Sequence, residues 1–342
     1  MKRQALYFTK PGKVAVQEEE LPPLAPDEVL VQTLASAISP GTELLIYRGQ
    51  APTDIPLDET IPDLAHQFRY PLKYGYAAAG RVIEVGSSVD AAWQGRLVFS
   101  FQAHESYFPK NPSELLHIPE DLSPEEATLL PNMETAVNFL MDGQPLIGER
   151  IVVFGQGVVG LLTTALLSRM PLLNLITLDR FPLRREKSIA LGAQTSLDPE
   201  APEALGQLND LLCANDDKGA DLTFELSGNP AALEQSIACT GFHGRVVIGS
   251  WYGQKRCDLN LGGRFHRSRI RLISSQVSTL APELTGRWTK SRRLQLALQL
   301  LRQVRPAHLI THRFRLAEAP QAYSLIDRQP EEAVQVILTY DV

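Results

Sequence analysis

Residues 149–179, ERIVVFGQGVVGLLTTALLSRMPLLNLITLD, carry the spacing with the most chemistry in it. A β-branched run, Ile151, Val152 and Val153, leads into Gly155-Gln156-Gly157-Val158-Val159-Gly160; an apolar helix-like stretch follows, and a second strand-like run ends at Asp179. Three glycines at this spacing mean little alone. Between a strand and a helix, with an acid closing the next strand, they are the arrangement that binds a dinucleotide. Gly155 permits the tight turn, Gly157 lets the backbone approach a pyrophosphate, and Gly160 lets helix and strand pack closely. The helix N-terminus offers unpaired N–H groups and a partial positive charge to the phosphates. Asp179 suits the adenosine ribose hydroxyls and repels a 2′-phosphate, which favours NAD over NADP. Arg180, Arg184 and Arg185 follow at once; as phosphate partners they keep NADP open, and as helix-face residues they would only be solvated.

The elements that must position these residues change in texture along the chain. Residues 1–124 are rich in proline and short β-like runs, Glu28–Leu34, Gly80–Val85 and Arg96–Phe101. Strand candidates then fall at 150–154, 174–178, 194–197, 221–226, 244–249 and 270–277, most joined by helical crossovers, which predicts a parallel sheet covered on both faces. An amphipathic helix over 288–304 and strand-like stretches at 309–315 and 333–340 complete the chain. At 342 residues the chain exceeds one core, so two domains are expected. Formal net charge of −6 argues against a general nucleic-acid binder. No apolar run reaches membrane-spanning length and MKRQALYFTKPGK lacks the core of a signal peptide, so the expected home is the cytoplasm. Cys213, Cys239 and Cys257 are widely separated, without metal-knuckle spacing, and read as plain reduced thiols.

The order of a β-rich region, a nucleotide-binding region and a helix-plus-strands tail resembles the medium-chain dehydrogenase/reductase superfamily, the relatives of alcohol dehydrogenase. The residues that carry the resemblance are Ala35–Glu43, Lys73–Gly80, Pro131–Ala136, Gly155–Gly160, Gly219–Gly228 and Gly244–Gly249. Within it the chain is most similar to the bacteriochlorophyllide hydroxyethyl dehydrogenase-like subgroup, through Ile38–Glu43, Leu130–Thr135, Ser250–Gly253 and Phe265–Arg267. The resemblance implies an α/β fold, a Rossmann doubly wound parallel sheet plus a β-rich GroES-like catalytic domain. Residues 1–124 and 279–342 would form the catalytic domain and 125–278 the NAD(P)-binding domain. It also implies oxidoreductase activity, hydride transfer between an alcohol or carbonyl substrate and NAD(P), and a homodimer paired through the last strand, Ile270–Val277.

The departures from that family concern its metal. Where zinc-dependent members place a Cys, a Gly-His-Glu and a further Cys or acid, this chain has Ser39, Gly75-Tyr76-Ala77 and Leu130-Pro131-Asn132. A hydroxyl, a phenol and a proline are not the thiolate and imidazole that hold Zn²⁺. The four-cysteine lobe is missing as well, since only seven residues separate Arg96 from His104. The expectation is therefore no zinc, with a metal on His66 and His104 as the rival. A hydrogen-bond donor must then polarise the substrate oxygen. Tyr76 and Ser39 are the candidates, with Lys73 or the oxidised nicotinamide lowering the phenol pKa; otherwise Tyr76 merely fills the space of the metal. Thr42 would relay a proton, and Glu43 would support the site or cap a helix. Thr135 resembles the family threonine near the nicotinamide, and Ser227 and Ser250 end strands whose C-terminal ends form the ligand crevice.

Two further stretches bear on the substrate, a small molecule. The Pro-rich residues 51–73 are too long for a connector and suit a lid or pocket wall. Arg264, His266, Arg267, Arg269 and Arg271 form a basic cluster that could take a carboxylated substrate or the cofactor pyrophosphate, or simply edge a strand. Competing readings are a quinone or enoyl reductase and a non-catalytic NAD(P) sensor.

Overall fold

The computed structural model describes residues 1–52, 69–213 and 219–341. His66 and most of the Pro-rich stretch lie outside them. In chain order the first strands are β1 (Lys2–Lys10), β2 (Lys13–Glu20), β3 (Val29–Ala37), β4 (Leu72–Lys73), β5 (Ala78–Val85), β6 (Leu97–Ser100), β7 (Tyr107–Lys110) and β8 (Leu116–His117). Then come β9 (Arg150–Phe154), β10 (Asn174–Leu178), β11 (Thr195–Leu197), β12 (Ala220–Glu225), β13 (Thr240–Ile248), β14 (Arg271–Ser274), β15 (Ile310–Arg315) and β16 (Gln335–Thr339). The helices are α1 (Pro40–Tyr47), α2 (Pro124–Ala127), α3 (Leu130–Gly143), α4 (Val158–Leu167), α5 (Pro182–Ala190), α6 (Ala204–Leu212), α7 (Pro230–Cys239), α8 (Lys290–Val304) and α9 (Ala319–Arg328).

The chain divides into two compact units, Met1–Pro131 with Leu298–Val342, and Asn132–Ala297. The divisions fall later than the 124/125 and 278/279 boundaries expected from texture, because each lies inside a continuous helix, α3 or α8. A composition change marks where strands give way to helices, not where packing changes partner.

In the second unit six strands run in the order β11-β10-β9-β12-β13-β14, all parallel. Parallel strands are covered on both faces, so the central ones read as unbroken apolar runs. In β9, Val152 and Phe154 turn to one face and join Ile176, Leu178, Leu208 and Leu212. Ile151 and Val153 turn to the other and join Phe139, Leu167, Leu222 and Val247. The strand order reverses between β9 and β12, and ligands of such sheets bind beyond the C-terminal strand ends at that point. The expected doubly wound sheet is present. Two of its strands are shorter than expected, Thr195–Leu197 against 194–197 and Arg271–Ser274 against 270–277.

The first unit holds two sheets, β2-β1-β4 and β15-β16-β3-β5-β6-β8, with β7 also pairing β3. Its core gathers Val29, Val31, Ala78, Val82, Val98 and Phe108 from strands far apart in sequence. The C-terminal strands join this sheet because β16 pairs antiparallel with β3. The amphipathic helix begins at Lys290 and not at Trp288. Thr289 Oγ1 accepts the Arg292 N–H at 3.1 Å, which makes Thr289 the N-cap. Among the described residues no helix is long and apolar enough to cross a membrane.

Candidate active site

The glycine loop of the second unit joins β9 to α4. Gly155 has φ +90°, a left-handed conformation suited to glycine, and a Cβ there would lie 2.6 Å from the Ser227 backbone. A Cβ on Gly160 would lie 2.0 Å from the Gly155 carbonyl oxygen, so the helix can start this close to the strand only without a side chain. Around Gly157 the situation is opposite: nothing lies within 4 Å of its Cβ position. Gly157 is also the N-cap of α4, and no side chain caps that turn. The two expected steric glycines and the expected open one are thus three different local environments. Val158 and Val159 form the first turn of α4, and Val159 packs on the sheet. Gln156 turns inward and is fully buried. Its amide donates to the Gly155 carbonyl at 3.1 Å and accepts from the Thr164 hydroxyl at 2.9 Å, so the side chain braces the loop and does not face a ligand.

Asp179 is more committed than its sequence position suggested. One carboxylate oxygen accepts the Gln156 N–H at 2.7 Å and the other accepts the Phe181 N–H at 2.9 Å. The acid therefore ties the end of β10 to the glycine loop, and any ribose hydroxyl must share its remaining lone pairs. Of the arginines, Arg180 and Arg184 lie over the Phe181 ring, 4.5 and 4.8 Å from its centroid. Arg184 comes within 4.0 Å of Asp179. Arg185 is drawn back, donating to the Asp179 carbonyl at 2.8 Å and to Asp198 at 3.1 Å.

Ser227 and Ser250 follow the C-terminal ends of β12 and β13, as expected. What organises them is Glu225, which residue-by-residue reading passed over. This carboxylate is fully buried at the end of β12. It accepts the Ser227 N–H at 2.8 Å, the Ser227 hydroxyl and the Tyr252 hydroxyl. Ser250 Oγ accepts the Gly228 N–H at 2.8 Å and donates to the Glu225 carbonyl at 3.2 Å. Burial and the charge of Glu225 push the Tyr252 phenol far up, so it remains a donor. An acid closing the apolar run Leu222-Thr223-Phe224 was the available signal. Thr135 sits half-buried on α3. That helix is pinned by the buried Arg293, which donates to Glu134 at 3.0 Å and to Asn138.

In the first unit the hydroxyls singled out from sequence meet. Ser39 is the N-cap of α1, yet its side chain makes no capping bond. It hydrogen-bonds the Tyr76 phenol instead, and the phenol also donates to Thr42 Oγ1 at 3.4 Å. Ser39, Thr42 and Tyr76 are all partly exposed. The Tyr76 ring is held edge-on by Tyr74, at 6.0 Å and 89°. Glu43 does not join this cluster through its side chain. It is fully buried and accepts the Ser39 N–H at 2.7 Å, a contact that caps α1 and at the same time holds the Ser39 backbone. Lys73 does not act on Tyr76: its ammonium bridges Glu19 and Glu105, 3.2 Å from each.

The same packing engages His104, the candidate metal ligand among the described residues. His104 places one ring nitrogen 3.1 Å from Glu43 and the other 2.7 Å from the Ser36 hydroxyl. Among the described residues no three His, Cys, Asp or Glu side chains converge so as to hold a metal ion. The donor set at Ser39 and Tyr76, hydrogen-bonded to itself, does not fit Zn²⁺.

The basic cluster is at the wrong end of its sheet. Arg264 donates to the Thr240 carbonyl at 2.8 Å, at the start of β13, and Arg271 is the first residue of β14. Both positions are N-terminal strand ends, whereas Gly155, Ser227 and Ser250 follow C-terminal ends. The cluster therefore cannot cradle a pyrophosphate bound at the glycine loop.

A doubly wound sheet with a glycine-rich turn at its switch point, in a chain that also carries a β-rich unit with a hydroxyl cluster, defines a dinucleotide-dependent dehydrogenase architecture. The family model described as zinc-binding dehydrogenase matches residues 158–294. The chain is 27% identical over 292 residues to L-threonine 3-dehydrogenase of Pyrococcus horikoshii, covering 76% of this chain and 79% of the relative. Other curated relatives are named alcohol and sorbitol dehydrogenases. A putative zinc-binding dehydrogenase from Sinorhizobium meliloti, solved bound to NADP, superposes with a TM-score of 0.76 at 19% identity, over 99% of both chains. A short chain alcohol dehydrogenase from Escherichia coli, complexed with NADH, does so at 0.78 and 20%, again over 99% of both.

Proposed function

We propose that this protein is a zinc-independent, NAD(P)-dependent dehydrogenase or reductase interconverting an alcohol and a carbonyl. The observation that carries the reading is that Ser39 and Tyr76, which stand in the sequence where the superfamily has metal ligands, bond each other and meet Thr42. The dehydrogenase names of its relatives support the reaction type, and the glycine loop supports a nicotinamide cofactor. The bacteriochlorophyllide-dehydrogenase-like subgroup remains our assignment within the superfamily.

The nicotinamide, when bound, accepts or supplies the hydride. The chain supplies the rest. Gly157 and the first turn of α4 admit and charge-compensate the pyrophosphate. Glu225, through Ser227, and Asp179, through Gln156, hold the loop backbone in shape. In carbonyl reduction Tyr76 gives its proton to the substrate oxygen and is reprotonated through Ser39 or Thr42, which also fix the phenol; in alcohol oxidation the proton runs the other way. Asp179 favours NAD(H). The Arg180–Phe181–Arg184 stack is the feature that favours NADP(H) as the second reading.

The test combines elemental analysis with turnover. The purified enzyme should hold no stoichiometric zinc and should oxidise NADH or NADPH with ketones in preference to quinones or enones. About one zinc per chain with activity lost to a chelator would refute metal independence. Preference for quinones or enones would refute the reaction class, and tight cofactor binding without turnover on the whole panel would mark a sensor.

A further inference from the structure

The hydroxyl cluster of the first unit rests on a buried polar chain that no step above uses. Glu43 and His104 are fully buried, and Tyr323 with them. One Glu43 oxygen accepts the Ser39 N–H at 2.7 Å; the other accepts His104 Nε2–H at 3.1 Å and the Tyr323 hydroxyl. His104 Nδ1 lies 2.7 Å from Ser36 Oγ, and Ser36 Oγ lies 2.7 Å from the Tyr340 hydroxyl. With the imidazole proton on Nε2, toward the carboxylate, the bonds run in one direction: Tyr340 donates to Ser36, Ser36 to His104, and His104 to Glu43. Burial and the neighbouring carboxylate push the Tyr323 phenol up, which keeps it a donor.

Both arms of the Ser39–Tyr76 pair are seated on this chain. Ser39 is held through its backbone N–H on Glu43. Tyr76 is held through the residues before it. The His104 N–H donates to the Tyr74 carbonyl at 3.4 Å. Gly75 has φ +126°, and a Cβ on it would lie 2.8 Å from His104 Cδ2. The backbone that delivers Tyr76 therefore lies directly against the imidazole, where only glycine passes. Burying a carboxylate and an imidazole costs free energy that an apolar core would not. Here the one chain fixes both hydroxyl bearers, which come from segments 37 residues apart.

We propose that His104, Glu43 and Tyr323 are positioning residues that set the geometry of the Ser39–Tyr76 pair without touching substrate. The proposal rests on the reading of Tyr76 as the group that acts on the substrate oxygen. It assigns to this buried triad the orienting task that a coordinated metal would otherwise perform.

The test is NMR on the full-length protein carrying ¹³Cζ-labelled tyrosine, with the Tyr76 resonance assigned by its loss in Tyr76→Phe. Tyr323→Phe removes one donor to Glu43 at nearly constant shape, and His104→Gln removes the imidazole. In folded variants with unchanged NADH affinity, the Tyr76 resonance should move, further in His104→Gln than in Tyr323→Phe. With racemic 2,3-butanediol as the probe alcohol, kcat should fall on the order of 10-fold to 10²-fold, the range for a misplaced catalytic group, with KM unchanged. In a Tyr76→Phe background His104→Gln should then add nothing further. A Tyr76 resonance that stays in place in both variants, or fully additive losses in the cycle, overturns the proposal. If His104→Gln fails to fold, Tyr323→Phe decides alone. A resonance that moves while Tyr76→Phe keeps full kcat supports the positioning and overturns only the catalytic reading.

Discussion

Gly157→Ala and Gly160→Ala separate binding from folding within one loop. Gly157 has φ −65° and ψ 179°, a region open to alanine, and its Cβ position has nothing within 4 Å. Replacing it restricts the unfolded chain, worth about 0.4–1 kcal/mol in favour of folding. It also puts alanine at an N-cap, a loss of several tenths or more. The two effects largely cancel, so stability should stay within about 1 kcal/mol of wild type and Tm within a few degrees. Cofactor binding should not be spared, because the new methyl occupies the side from which a pyrophosphate reaches the α4 N–H groups. Losing or lengthening one charge-assisted bond costs about 1.5–3 kcal/mol, roughly 10-fold to 100-fold in Kd. At Gly160 the methyl would meet the Gly155 carbonyl at 2.0 Å, and overpacking against backbone costs about 1–3 kcal/mol or more. That variant should lose both Tm and affinity. Thermal unfolding and titration with NADH and NADPH measure the two quantities. Gly157→Ala protein that binds both nucleotides like wild type would refute the pyrophosphate placement, and with it the dinucleotide reading of the loop.

Tyr76→Phe keeps the ring and should leave fold and cofactor affinity intact while lowering kcat on the order of 10²–10³-fold; wild-type kcat would assign Tyr76 to packing. Wild-type protein should bind NAD(H) more tightly than NADP(H). Asp179→Gly should move the preference toward NADP(H) by roughly tenfold or more, the worth of a bond to a charged group. It should weaken both nucleotides as well, since Asp179 also anchors Gln156; tighter NADP(H) in the wild type would refute the preference. Across the outer edge of β14 the protein should form a two-fold dimer, as an edge strand of this kind invites; a monomer by light scattering at micromolar concentration would refute it.

The nucleotide unit was legible because its physics is local. Runs such as Ile151–Val153 are apolar because they are covered on both faces, and the glycines are spaced by the turn they make. The hydroxyl cluster was legible only as a set of odd residues at Ser39 and Tyr76. That they bond each other depends on how α1 and the segment before β5 come together, which no short window encodes. Glu43, His104 and Tyr323 are further apart still, 61 and 280 residues from the carboxylate they share. Reading along the chain singles out Glu43 and His104 for separate reasons and passes over Tyr323, and only the packing joins the three. Lys73 misled for the complementary reason: proximity in sequence to Tyr76 suggested a charge acting on the phenol, while strand pairing points it at Glu19 and Glu105. The basic cluster could have been placed better. Residues immediately before a parallel strand lie at the end remote from the ligand crevice, and Arg264–Arg271 immediately precede or open β14.

If the reacting position is the Ser39–Tyr76 pair proposed above, the rest of the unit must do what a metal would otherwise do. A metal polarises the substrate oxygen and also fixes it in space, through bonds with set lengths and angles. A phenol supplies the first and not the second, because its hydroxyl hangs on rotatable side-chain torsions. Catalytic benefit from a donor depends on its being preorganised, so the orienting work must come from packing. On the proposed reading four residues supply it in this chain. Ser39 and Thr42 meet the phenol itself, Tyr74 braces its ring edge-on, and His104 underlies the glycine that precedes it. On the proposed zinc-independent reading, a chain of buried hydrogen bonds does the work of one coordination sphere. The enzyme's activity should therefore be sensitive to substitutions such as Tyr323→Phe, well removed from any atom that reacts.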